Sequence, residues 1–267
     1  MVSVAAGYIK GRPISLAVLD YGLFQVHANG RIIGIVGFVI RTDKGEAILV
    51  DTGFPAKYAL DSARASAEDG LGSFGQVLEL TAMNLPDAQL SLLGLTVAQI
   101  DLLILTHSHI DHVGGIAGFP QAPILLSQAE HALPSPLYFG QTTAMAWPDR
   151  SYIPVDGDCD LGPGLRLLAA PGHVAGQLAL WLDLPLTGPV LLVSDAISRP
   201  AEIAERFDTA DDPQAAIASA DRLMALADKT GAMVIMAIVR RNGPTCGKRH
   251  SFISDRAVPR LQRTSRP

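Results

Sequence analysis

Thr106-His107-Ser108-His109-Ile110-Asp111-His112-Val113-Gly114-Gly115 is the stretch on which the reading of this chain turns. It puts three of the chain's seven histidines and an aspartate within six residues. The apolar run Leu102–Leu105 precedes it and a Gly-Gly pair follows, so the polar cluster sits at the end of a buried strand. In an extended or turn segment His107 and His109 point the same way, while Asp111 and His112 reach a neighbouring position. Imidazole nitrogens and a carboxylate oxygen suit zinc and related first-row ions. One short loop can therefore serve two ions. A solvated turn with histidines by accident is the competing reading, and the clustering argues against it. His173, in Ala170-Pro171-Gly172-His173, also follows a strand and a turn.

Working outward, Ile14–Leu19, Ile32–Ile40 and Ala47–Val50 read as strands separated by Asn-Gly and Lys-Gly turns. Residues 55–98 change character, with apolar residues at helical spacing around Tyr58–Ala67 and Asp87–Leu93. Strands are expected again at Leu102–Leu105, Ile124–Leu126, Leu165–Ala169, Leu178–Leu182, Val190–Val193 and Ala232–Ile235. Ser127-Gln128-Ala129-Glu130 reads as a capping box opening a helix, and a longer helix runs from about Pro213 to Asp228. Strands interleaved with helices imply an α/β layered domain.

The His107-x-His109-x-Asp111-His112 pattern resembles the signature of the metallo-β-lactamase superfamily at every position. His173 is similar to the superfamily's next metal-binding histidine. Asp195, in Val193-Ser194-Asp195, is similar to its metal-bridging aspartate, and Asp51-Thr52-Gly53 resembles the early motif that supports the metal loop. The resemblance implies an αββα sandwich, two mixed β-sheets with helices on the outer faces. It further implies that His107, His109 and His173 hold one divalent ion, that Asp111 and His112 hold a second, and that Asp195 bridges both. Zinc is the expected metal, a bridging hydroxide the expected nucleophile, and Asp111 the candidate to pass a proton to the leaving oxygen. Flavodiiron oxidoreductases of this fold carry a glutamate where this chain has His109, so hydrolysis is expected rather than electron transfer. The helical segment before the metal loop, and Asp156–Leu167 before the Pro-Gly-His, resemble the N-acyl homoserine lactone lactonases, which are quorum-quenching enzymes. That points to a lactone as the small-molecule substrate and, by the habit of the group, to a homodimer. A glyoxalase II-like thioesterase or a broad esterase is the alternative.

Three departures bear on this reading. Ser198 stands where these lactonases commonly carry a substrate-touching tyrosine, and Gln177 where a second histidine is common. The superfamily's last histidine ligand, expected just past Ile235, is replaced by Met236-Ala237-Ile238-Val239, which weakens the second ion's site and makes a metal-binding pseudoenzyme a further alternative. We read residues 1–235 as the hydrolase domain and 236–267 as an atypical basic tail. The tail holds eight Lys/Arg against the single acid Asp255. Its abrupt change of texture, and an alternative frame that permits a Gly-His and a Gln-Trp there, indicate a frameshift. His250 is the one histidine left downstream to replace the lost ligand.

The formal net charge of -5 argues against nucleic acid as a partner. No apolar run approaches the ~18 residues that span a bilayer, and Met1–Ser15 lacks the layout of a secretory signal. Two cysteines, Cys159 and Cys246, make no disulfide framework, so a cytoplasmic enzyme is expected. Cys159 reads as part of an aspartate-rich loop. His27 and His131 read as ordinary surface or helix residues. Tyr138, Phe139, Met145 and Trp147 either line an acyl-chain pocket or form an ordinary packed loop.

Overall fold

Apolar residues alternate between two faces along the central strands, and both faces are covered. A computed structural model describes residues 5–139 and 145–236, together with the backbone of 252–254. In chain order the strands are β1 (Pro13–Val26), β2 (Ile32–Thr42), β3 (Ala47–Val50), β4 (Gly75–Glu79), β5 (Leu102–Ile104), β6 (Ile124–Ser127), β7 (Tyr152–Val155), β8 (Cys159–Gly162), β9 (Leu165–Ala169), β10 (Leu178–Leu184), β11 (Gly188–Ser194), β12 (Met233–Met236) and β13 (Phe252–Ser254). The first sheet runs β13-β1-β2-β3-β5-β6-β7, with β4 paired to the far end of β1. It is antiparallel as far as β3 and parallel from β3 to β7. The second sheet runs β12-β11-β10-β9-β8 and is antiparallel except at the β11–β12 edge.

Period-two alternation sorts the strand residues into layers. Ile48, Val50, Leu102 and Ile104 of the first sheet face Leu165, Leu167, Leu180 and Leu192 of the second, which makes the central core. Their neighbours Leu49, Leu103, Ile124 and Leu126 face outward, against helical residues that include Tyr58, Ala65 and Leu90. Leu191 and Val193 turn to the opposite outer face and meet the helix Pro213–Thr230. That helix starts where Asp212 accepts hydrogen bonds from the Gln214 and Ala215 N–H groups, and it stops at Gly231, whose φ is 67°. Ala216, Ala220, Leu223 and Ala227 recur at helical spacing along its buried stripe. The architecture is the expected αββα sandwich. Burying one such aliphatic side chain contributes about 1.5–3 kcal/mol, so these three clusters dominate stability.

Several local expectations are corrected. Gly75–Glu79, inside the stretch read as helical, is a strand paired with Leu23–Val26 of β1. Cys159 is not in a loop but starts β8, its side chain buried between the sheets. The helix after Ser127 is a single turn, Gln128–His131. β12 ends at Met236, so the basic tail, the frameshift and His250 lie outside the described residues, β13's backbone excepted. Among the described residues no helix is long and apolar enough to cross a membrane.

Candidate metal centre

Three loops at one end of the two sheets carry the candidate ligands. The first leaves β5, and in it Ile110–Val113 forms one helical turn that carries Asp111 and His112. The second links β9 to β10 and carries His173. Here Gly172 is obligatory. Its φ is 142°, and a Cβ there would lie 2.3 Å from the backbone of Ala216, so only glycine lets the His173 loop lie against the long helix. The third loop follows β11 and carries Asp195.

These loops bring His107, His109, His112, His173 and Asp195 together. His109 Nδ1 lies 3.1 Å from both His107 Nε2 and His173 Nε2. Asp195 Oδ2 is 3.5 Å from His173 Nε2, 3.6 Å from His112 Nε2 and 3.9 Å from His107 Nε2. Two donor sets of a size to grip an ion result: His107, His109 and His173, and His107, His112 and Asp195. Asp111 is brought up to the second set, its Oδ2 3.7 Å from His112 Nε2. The first set is the expected trio, whereas the second takes His107 in addition to His112 and Asp195 and has Asp111 only alongside.

Burial and the neighbouring imidazoles His112, His109 and His173 push the His107 pKa well below its usual value. Burial, with His173, lowers His109 to about 3, against a smaller opposing pull from Asp195. Both rings are therefore neutral at physiological pH and present lone pairs, the form a metal ligand needs. For His112 burial alone would lower the pKa, but Asp111, Asp51 and Asp195 together raise it. Burial lifts the Asp111 carboxyl above the ordinary carboxylate range, partly offset by His112. Burial would lift Asp195 too, yet the surrounding histidines hold it low.

Behind the candidate ligands lies a scaffold of buried hydrogen bonds. Asp51 accepts from Thr106 N at 2.8 Å, Thr106 Oγ1 at 2.7 Å and His112 Nδ1 at 2.9 Å. This fixes which nitrogen of His112 faces the cluster. Ser194 Oγ donates to Thr106 Oγ1 at 2.9 Å, tying the third loop to the first. Asp51 and Ser194 both adopt positive φ, 60° and 46°, a conformation that costs non-glycine residues energy and concentrates at functional sites. Thr52 Oγ1 adds a bond to His112 O. The Asp51-Thr52-Gly53 motif therefore supports the loop as its resemblance implied.

Glu130 was missed as a site residue. Ser127 Oγ caps Glu130 N as a capping box requires, but the Glu130 carboxylate turns away from the helix and accepts from Ser108 Oγ and from the backbone of Ser108 and Gly176. It thus fastens the first loop, between His107 and His109, to the loop bearing His173. The S-x-x-E spelling carried the signal, although it was read as local.

A cleft of about 760 Å³ opens over the cluster. Its floor includes His109, Asp111, His112, His173, Asp195 and Ser198, and its walls include Phe24, Val26, Ile33, Phe54, Phe74 and Phe139. Ser198 is buried, and its N–H donates to Glu202 Oε2 at 2.7 Å. Gln177 is buried beside the site, with Nε2 bonded to Leu178 O. Tyr138 and Phe139 line the cleft, whereas Met145 and Trp147 pack against the outer core. His27 bonds Gly72 O and His131 stacks on Tyr152, so neither belongs to the cluster.

Comparison with known proteins agrees with this geometry. The sequence pattern of the metallo-beta-lactamase superfamily matches residues 34–237. An N-acyl homoserine lactonase of Bacillus sp. is 32% identical over 166 residues, 60% of this chain and 62% of that protein, so the match spans less than two thirds of that relative's length. The N-acyl homoserine lactonase of Bacillus thuringiensis is 30% identical over 200 residues, covering 72% of this chain and 76% of that one. Among solved structures, an N-acyl homoserine lactone hydrolase with N-hexanoyl-L-homoserine bound superposes with a TM-score of 0.73 at 24% identity, over 85% of this chain and 93% of that chain. A dizinc quorum-quenching lactonase superposes at 0.62 and 18% identity, over 94% and 97% of the two chains. With the signature loop, the paired donor sets and the αββα layers all in place, this chain belongs to the metallo-β-lactamase superfamily.

Proposed function

We propose that this protein is a metal-dependent hydrolase that opens lactone rings, with N-acyl homoserine lactones as its substrates and two zinc ions as its cofactors. The observation that carries the reading is the pair of donor sets that share His107, with Asp195 of one set 3.5 Å from His173 of the other, at the floor of an apolar-walled cleft. The names of the relatives at 30–32% identity support the same substrate class.

In this reading His107, His109 and His173 would hold one ion and Asp111 and His112 the other, with Asp195 placed to serve either. The donor chemistry fits zinc, since neutral imidazoles and carboxylates at these separations match its preferred ligands. The ions supply Lewis acidity and make water a usable nucleophile near neutral pH. The remaining tasks fall to the chain itself. Asp51 holds His112 with Nε2 facing inward. Glu130 holds the His109 and His173 loops in register. Asp111, beside His112 and within the cleft, takes a proton from the attacking water and returns it to the ring oxygen as the bond breaks. Ser198 lies on the same floor, where its hydroxyl can meet the ester. The walls formed by Phe24, Val26, Ile33 and Phe74 take an acyl chain, and their burial of apolar surface adds affinity.

A panel of N-hexanoyl homoserine lactone, a glutathione thioester and an aryl ester separates this reading from its alternatives. Ring opening, followed as acid release, should proceed with kcat/KM at least tenfold above that for either other substrate. Preference for the thioester would instead assign a glyoxalase II-like activity. Metal content without turnover on any of the three would mark a pseudoenzyme.

A further inference from the structure

Asp69 ends the helix Ser62–Asp69 and is buried. Neither setting favours a carboxylate, since a helix C-terminus repels negative charge and burial strips away its water. Three donors offset that cost. Lys57 Nζ lies 2.6 Å from Oδ1, while Tyr58 and Tyr138 both donate hydroxyls to Oδ2, at 2.9 Å and 3.2 Å. Burial, reinforced by Asp69, pushes both phenols well above their ordinary pKa, so each keeps the proton it donates. Lys57 and Tyr58 are near neighbours in the chain, but Tyr138 arrives from 69 residues further on.

Tyr138 is the partner with a second task. Its N–H donates to Ser108 O and its C=O accepts from Ile110 N, each at 2.9 Å. The two bonds straddle His109 and pair it with Tyr138 in a short parallel bridge. Leu137 N adds a bond to Ser108 Oγ at 3.0 Å. Residues 137–138 thus splint the backbone on either side of a candidate metal ligand. Tyr138 does this with a φ of 62°, a region that disfavours bulky side chains and persists only where the surroundings enforce it. The metal loop grips its main chain, and Asp69 grips its hydroxyl.

We infer that Asp69, acting through Tyr138, is a positioning residue that fixes His109 in the metal loop. The helical stretch before that loop is thereby its outer brace. The inference rests on the metal assignment proposed above and not on the choice of lactone.

Tyr138→Phe deletes the bond that joins brace to loop. Tyr58→Phe deletes a bond to the same Asp69 oxygen and leaves the loop's own contacts alone, so the pair separates positioning from plain stability. Backbone amide exchange of the chelated protein reads the brace directly. Loss of a hydrogen bond to a charged acceptor should speed exchange at Ile110, relative to the amides of β10, about 10–100-fold in Tyr138→Phe and at most about threefold in Tyr58→Phe. Competition with a chromophoric chelator should show the tighter zinc site weakened about 10–100-fold in the first variant and unchanged within about threefold in the second. Asp69→Asn, which keeps the shape but removes the charge, should move both readouts in the direction of Tyr138→Phe and serves if that variant folds poorly. Equal changes in the two tyrosine variants, or none in either, would overturn the positioning role. Wild-type protein that binds no zinc would overturn the metal assignment alone, since exchange at Ile110 in the chelated protein reads the brace without it.

Discussion

Asp51→Asn is the substitution that probes the scaffold behind the metal centre most sharply. Asn tolerates the left-handed backbone that Asp51 adopts, so backbone strain does not confound the result. What changes is the hydrogen bonding. Asp51 is buried and accepts three bonds, from Thr106 N, Thr106 Oγ1 and His112 Nδ1. An amide keeps one oxygen for Thr106 N but turns an NH2 group towards two donors. The threonine hydroxyl can rotate to accept. His112 can accommodate the amide only by leaving Nδ1 bare and carrying its proton on Nε2, the nitrogen that faces Asp195. Losing one to two charge-assisted bonds in a buried network costs about 2–4 kcal/mol of stability. Disturbing a partner that orients a ligand histidine costs about 10–100-fold in metal affinity. Urea unfolding of the chelated protein reads the first effect, and competition with a chromophoric chelator reads the second. The weaker site should suffer more than the site built on His107, His109 and His173. A variant within 0.5 kcal/mol of wild type, with both metal affinities unchanged, would refute the argument that Asp51 fixes the His112 tautomer.

Three further outcomes are expected. Leu180→Ala, at a fully buried position between the sheets, should cost about 2–5 kcal/mol in urea unfolding; a loss under 1 kcal/mol would mean that this interface is loosely packed. Burial would raise the Glu46 carboxyl, but hydrogen bonds from Lys10 N, Thr42 Oγ1 and Gly11 N hold it below the ordinary range. A depressed folded pKa gives stability that is present above the unfolded value of ~4.3 and disappears as pH falls through the folded value. The stability gap between wild type and Glu46→Gln should therefore be constant above about pH 5 and shrink towards pH 3, and a gap independent of pH would contradict the assignment. Sequencing the source gene should reveal a shifted reading frame near Met236, with a Gly-His in the restored tail; a well-supported gene that encodes the tail as written would dismiss that reading.

Legibility followed range along the chain. The cluster from His107 to His112 is contiguous and each member has a distinctive donor atom, so sequence alone marks it. An α/β layered domain was legible because strands such as Ala47–Val50 and Leu102–Leu105 alternate with helical stretches, and the αββα arrangement itself came from the resemblance carried by His107–His112. β4 was not, because Gly-Gln-Val-Leu-Glu has no strong strand pattern and is held only by its pairing with the end of β1. Cys159 was misplaced because its Asp-Gly-Asp flank spells a turn, while its side chain is set by the sheet opposite. Glu130 carries a local capping pattern, yet its carboxylate meets Ser108, 22 residues away. The Arg31–Glu202 pair joins the turn before β2 to the helix Pro200–Glu205, and nothing in either neighbourhood announces it.

Zinc content per chain, measured together with ring opening of N-hexanoyl homoserine lactone before chelation, after chelation and after adding zinc back, tests the central claim most directly. The account predicts bound metal and turnover in the purified protein, loss of both on chelation, and recovery of both with zinc. Turnover that survives complete removal of metal, or full metal occupancy with the lactone left closed, would contradict it.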